Sequence, residues 1–262
     1  MTQVLEWSSD DTRKQFDSPE NRHLYGFILE TYAYLVIVNI ITPHSVFPAR
    51  AVPYLDTLMC LDPLRKYDSF GILFCGYHGL FELIPNISQM ARVDEENKLR
   101  VDTSRYYSLR TKIQEWQFPG SRYPEHVDMA QRLAAGEVYR QALFIFLETA
   151  MLGSSVPTEA FKLGIQSYVG TVISSMTNSG VLECELASIM LWPTVITGSV
   201  LVDDSHRRIF SEGLRSSTYG TWSTIRAAEL LELLWKDDSG ELFGPYGLYR
   251  TMKKRGISLC MS

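Results

Sequence analysis

Four places in this 262-residue chain combine residue types and spacings that could do chemistry. His78 and Glu82 lie four apart, so on a helix they share a face. An imidazole beside a carboxylate there can carry a proton near neutral pH. Asp203-Asp204-Ser205-His206 offers two carboxylates and an imidazole, a set that can hold a divalent cation when it projects into a cavity. Cys75, three residues before His78, supplies the other half of a thiol–imidazole pair. Trp192-Pro193 lies in an apolar stretch, where a proline bend can open space for a ligand between helices.

Each has a plainer reading. The neighbours of His78 and Glu82 are Tyr77, Leu80, Phe81 and Leu83, which suits a hydrogen-bonded structural pair. Asp203 and Asp204 precede Arg207-Arg208, where acids suit the positive end of a helix. Nothing near Cys75 supplies an oxyanion site. Trp192-Pro193 can be a packing kink with no ligand. No serine sits in a Gly-x-Ser-x-Gly elbow, and Gly71, Gly76 and Gly79 have the wrong spacing for a phosphate loop and fall within a helical pattern. The reading is therefore a chain with no catalytic residue set and no metal or cofactor, whose candidate ligand-pocket residues are His78, Glu82 and Trp192.

The elements that must position these residues are read as helices. The first runs from Pro19 to Pro43. Its most apolar part, Tyr32 to Thr42, falls short of the ~20 residues of a membrane span, because Glu30 interrupts the run and Pro43 ends it. The second starts near Lys66–Ser69, capped by Asp68 or Ser69, and continues to Glu96. It carries Phe70, Leu73, Phe74, Tyr77, Leu80, Phe81 and Ile84 at helical spacing and is kinked or divided at Pro85. Ser104–Trp116 is shorter. The loop 117–124, with two prolines and a glycine, could separate two helical layers. Helices follow over Glu125–Leu152, from Pro157 to a stop at Gly180, over Val181–Val202, from Asp204 to about Ser216, over Trp222–Lys236 and over Tyr246–Arg255. No period-2 strand pattern exceeds a few residues. The expectation is all-α: one helical domain of antiparallel pairs over 19–256, with a short acidic tail at 1–18 and another tail at 257–262.

Composition narrows the function classes. A hydrophobic share of 45% against 21% charged supports a sizeable core. The net charge of −5 disfavours direct nucleic-acid binding by this chain alone, since gripping phosphates needs a basic stripe. The basic clusters, Arg207-Arg208 and Lys253-Lys254-Arg255, read as solvated helix ends. Cys60, Cys75, Cys184 and Cys260 form no Cys-x-x-Cys pair, which excludes compact zinc-finger spacings and fits a reducing compartment. The acidic N-terminal stretch has no signal-peptide core.

Three stretches carry a family resemblance. Phe70–Arg92, with Phe-Cys-Gly-Tyr-His-Gly-Leu-Phe-Glu-Leu-Ile-Pro, resembles a glycine-bearing mid-domain helix. Val138–Leu152 is similar to an aromatic-rich helix leading into a proline turn. Leu182–Asp238 runs from the Trp192-Pro193 helix through the Asp203–Arg208 corner to Ala-Ala-Glu-Leu-Leu-Glu-Leu-Leu-Trp. In this order they resemble the fungal-specific transcription factor domain, the helical regulatory region usually found behind a binuclear zinc cluster. The resemblance implies an all-helical regulator of fungal metabolic or biosynthetic genes, located in the nucleus. It would act through a DNA-binding partner or co-regulator, as a possible dimer, or through a small apolar effector. No six-cysteine cluster occurs here, so DNA binding is not carried over. An alternative is a free-standing helical enzyme of a biosynthetic pathway, of cyclase or isomerase type, using His78, Glu82, Asp203 and Asp204. A third is an adaptor without a ligand.

Overall fold

In the computed structural model the described residues are 19–42, 61–96, 103–120, 125–152, 155–217, 221–237 and 240–261. They form α1 (Pro19–Val38), α2 (His78–Phe81), α3 (Leu83–Glu96), α4 (Thr103–Glu115), α5 (Met129–Leu152) and α6 (Glu159–Ser179). The C-terminal part contributes α7 (Leu191–Gly198), α8 (Asp204–Arg215), α9 (Trp222–Trp235) and α10 (Gly244–Arg255). Short 3-10 turns occupy Asp62–Lys66 and Glu185–Ile189. There is no strand among the described residues, so the fold is all-α, as the sequence implies. None of their helices is long and apolar enough to cross a membrane.

The architecture is organised round α5. Its buried residues include Arg132, Ala135, Tyr139, Ala142, Phe144, Ile145 and Thr149, which cover every side of the helix. A helix buried all round must have neighbours on all sides. α6, α3, α4, α7 and α10 pack against it. α8 and α9 form a second pair, with the short apolar α7 wedged against α5 and α9. That wedge fits closely: a Cβ on Gly198 would come 2.6 Å from a methyl of Leu231.

Several helix ends follow their sequence signals. Thr158 caps α6, its hydroxyl accepting from Phe161 N at 3.2 Å, and Gly180 ends the helix in the left-handed region at φ 67. Pro157 therefore lies just outside α6 rather than in its first turn. Asp203 caps α8, accepting from His206 N at 3.0 Å.

The continuous helix expected from Lys66 to Glu96 is not formed. Residues 68–76 are a run of turns, because Gly71 (φ 96), Cys75 (φ 49) and Gly76 (φ 85) take a conformation no right-handed helix admits. The turns wrap a carboxylate supplied by α1. Glu30, 1% exposed, accepts from the amides of Gly71 at 3.1 Å, Leu73 at 2.9 Å and Phe74 at 3.1 Å. α1 lies directly on this segment at Gly26, where a Cβ would come 2.5 Å from Tyr67 Cβ. Neither Asp68 nor Ser69 caps a helix, and Pro85 sits in the first turn of α3, where its missing donor is not needed. The expected Val181–Val202 helix divides in the same way. It becomes turns, a 3-10 segment and α7, with Pro193 in the first turn of α7 rather than at a mid-helix kink.

Two further boundaries concern the domain reading. Trp116 and Phe118, at the start of the expected 117–124 loop, pack on Tyr77 with ring centroids 6.1 and 5.5 Å away. Residues 121–124 and the expected tail 1–18 lie outside the described residues. Beyond Gly256 the chain leaves the helix yet stays packed: Leu259 and Met261 are buried, and Met261 N donates to Asn39 Oδ1 at 2.8 Å.

Candidate regulatory site

The candidate pocket residues fall at two depths. α2 carries His78, and the residue that follows this one-turn helix is Glu82. Both are half-buried at the edge of the core. They do not bond to each other. Glu82 accepts from Leu61 N at 2.6 Å, closing α2 onto the 3-10 turn that begins at Asp62. His78 Nε2 lies 2.7 Å from the Arg65 guanidinium, which is itself bonded to Asp62 at 2.6 Å. A guanidinium can only donate, so Nε2 is the acceptor and the neutral ring carries its proton on Nδ1. That Nδ1 is buried without a partner. The ring also leans on Phe70, with centroids 5.1 Å apart.

The local electrostatics agree with this assignment. Burial, helped by the positive charge of Arg65, holds the His78 imidazole below its ordinary value of 6.5. Burial pushes Glu82 above the usual carboxylate value, against the opposing bond from Leu61 N. The folded state thus resists charging His78. Its contribution to stability is present above pH 6.5 and is lost as pH falls through the depressed folded value. The difference in melting temperature between wild type and His78→Gln is therefore expected to shrink as pH drops below 6.5, read by scanning fluorimetry at fixed ionic strength. A difference independent of pH would mean that the imidazole does not titrate there.

Trp192 lies deeper, at 0% exposure. Its ring stacks on Tyr139 (5.9 Å, 6° between planes) and meets Phe146 edge-on. Tyr139 in turn contacts Phe81 at 4.8 Å, so fully buried rings fill the path from α2 to α7. Among the described residues Trp192 Nε1 has no hydrogen-bond acceptor, and Thr197 Oγ1 on the same short helix is likewise buried and unpartnered. Buried polar atoms normally find partners, and Ser69 Oγ, equally buried in the turn segment, lacks one too.

The other chemical candidates are engaged in holding structure. Asp203 accepts from Ser205 Oγ and His206 N at the start of α8, and those bonds keep its carboxyl below the ordinary range. Asp204 pairs with Arg207 at 3.0 Å. Among the described residues no group of three or more His, Cys, Asp or Glu side chains is placed to hold a metal ion. Cys75 is buried, its thiol directed at the carbonyls of Ile72 and Leu73, and burial pushes its pKa up to about 12. A thiol so far from ionising is a poor nucleophile.

The sequence reading missed two features. Glu30 interrupts an apolar run in the sequence, and its partners Gly71, Leu73 and Phe74 come from a distant part of the chain, beyond any local pattern. Lys253 and Lys254 are exposed in the last turn of α10, the solvated helix end that the sequence implies, but they also face a feature it does not show. They line a cleft of about 450 Å³ with Asp237, Glu241, Leu242, Tyr246, Tyr249 and Arg250. Tyr246, Tyr249, Arg250 and Lys253 at i, i+3, i+4 and i+7 were the available signal, one face of a helix joining aromatic rings to cations.

With this all-helical arrangement in place, a family model described as a fungal specific transcription factor domain matches residues 10–262. The chain belongs to that family. No curated protein and no solved structure matches it. As a fungal-specific transcription factor domain, the chain has a transcription-regulator-like role, and the match spans all three stretches on which the resemblance rests.

Proposed function

We propose that this fungal-specific transcription factor domain is a regulatory module. In this reading it controls fungal metabolic or biosynthetic genes in the nucleus by contacting a DNA-binding partner and by answering to a small apolar effector. The observation that carries the reading is the family match over residues 10–262. The net charge of −5 supports a division of labour in which a partner holds the DNA. The effector half rests on the unpartnered His78 Nδ1, Trp192 Nε1 and Thr197 Oγ1. An effector carrying one or two acceptors would have to part the packed rings between α2, α5 and α7 to reach the donors the protein leaves open. Glu82 would then sit at the rim of its path.

Tethering the chain to a heterologous DNA-binding module upstream of a reporter gene is expected to change transcription severalfold. The chain without that module is expected to show no saturable binding to duplex DNA at physiological salt. Unchanged reporter transcription, with the fusion shown to be folded and nuclear, would overturn the regulatory reading. An effector should raise the melting temperature in proportion to RT ln(1 + [L]/Kd). A broad metabolite screen with no shift would count against the effector alone.

A further inference from the structure

We infer that the cleft between α10 and the segment leading into it binds a small, flat, ring-bearing anion such as an aromatic carboxylate. This deepens the regulatory reading by giving it a second ligand class at a site far in sequence from His78. Its volume of about 450 Å³ lies within the range of small-molecule sites and suits one or two fused rings. Tyr246 and Tyr249 line it as a pair, with ring centroids 6.4 Å apart and planes 21° from parallel. Leu242 adds an apolar surface, and all three side chains are only half-covered by the protein. Aromatic faces prefer offset or edge contacts with another ring, so a planar ligand body fits this lining.

Charge accounting selects the sign of the ligand. Arg250 is paired with Glu241 at 3.9 Å across the cleft, and Asp237 already interacts with a neighbour. Among the described residues Lys253 and Lys254 form no ion pair. Arg250, Lys253 and Lys254 outnumber Asp237 and Glu241 in the lining, which is therefore net positive, in a chain whose net charge is −5.

The ordinary explanation for cations in a last helical turn is that they cover the orphan carbonyls and oppose the helix dipole. Here the backbone already covers two of them, those of Met252 and Lys253. Gly256 N donates to Lys253 O at 3.4 Å and Ile257 N to Met252 O at 3.0 Å. Both lysines are exposed and free to reach over the tyrosine rings toward a carboxylate.

The test uses 2-naphthoate and its neutral amide, 2-naphthamide, titrated by calorimetry into the full chain. Saturable 1:1 binding of 2-naphthoate is expected, roughly tenfold weaker for the amide and for Lys253→Ala/Lys254→Ala, the scale of one lost charge-assisted hydrogen bond. Tyr249→Ala should weaken both compounds. These surface positions leave the core intact, and the melting temperature of each variant checks that directly. Equal binding of acid and amide, binding unaltered in the double-lysine variant, or no binding of 2-naphthoate up to millimolar concentration would each overturn the inference. The reporter assay keeps the two claims apart. Transcription that responds to tethering without 2-naphthoate binding removes the cleft and leaves the regulatory role, and the reverse outcome does the opposite.

Discussion

Glu30→Ala is expected to destabilise the protein by about 3–5 kcal/mol, the lower part of the sum for three buried amides that each cost roughly 1–3 kcal/mol when left without an acceptor. At roughly 2–4 °C per kcal/mol for chains of this size, the melting temperature should fall by about 10 °C. Glu30→Gln separates the acceptor from the charge. Oε1 alone receives Gly71, Leu73 and Phe74, so a glutamine carbonyl in that place keeps most of the bonds. Only the second bond from Gly71 N, to Oε2 at 3.2 Å, is replaced by two donors facing each other. The expected loss is about 1 kcal/mol.

The same pair of variants fixes a pH dependence. Burial holds the Glu30 carboxyl above its ordinary value of 4.5, although the amide bonds pull the other way. The folded state thus keeps the proton to a higher pH than the unfolded chain does. Its contribution is full below pH 4.5 and falls away as pH rises through the raised folded value. Glutamine cannot ionise, so the gap between wild type and Glu30→Gln should narrow over that rise. A gap that widens as pH increases would mean that the amides outweigh burial. Denaturant titrations at several pH values decide between the two.

The second large effect concerns Trp192. Trp192→Ala should cost about 3–5 kcal/mol, as for other fully buried aromatic side chains cut back to a methyl. Trp192→Phe should cost only about 1–2 kcal/mol, because the ring still stacks on Tyr139 and the indole N–H has no hydrogen bond to lose. The phenylalanine variant therefore also serves as a probe of the effector. If an effector accepts from Nε1, its thermal shift should collapse in Trp192→Phe while the unliganded protein stays close to wild type. Equal destabilisation by alanine and phenylalanine would point to a hydrogen bond at Nε1 and remove that part of the proposal.

How much was legible in the sequence depends on where each residue's partners lie. α8 and α9 could be read because their signals are local: Asp203 caps three residues ahead, and Ala227, Ala228, Leu230, Leu231 and Leu234 form the buried side of α9. The Phe70 segment was misread because Phe70, Leu73, Phe74 and Tyr77 fit a helical period equally well when spread over consecutive turns. The glycines that permit positive φ were visible; the carboxylate that makes those turns favourable came from another element. Pro85 and Pro193 marked helix starts, yet in isolation each reads as well as a kink. For the candidate site, the shared neighbourhood of His78 and Glu82 followed from spacing. Their separate partners, Arg65 and Leu61, did not, since both depend on how the 3-10 turn docks. The burial of Trp192 was consistent with its apolar surroundings, whereas its missing acceptor is a property of packing alone.

The bond from Met261 N to Asn39 Oδ1 spans 222 residues. It bears on the order in which the protein can be made. A ribosome delivers α1 well before Met261, so Asn39 at the end of α1 waits for this partner until more than two hundred further residues have been made. Contacts of such long range close slowly and leave apolar surface open in the meantime. The last helix and the residues after it are thus a closing step of folding at the end of α1 rather than an appendage to it.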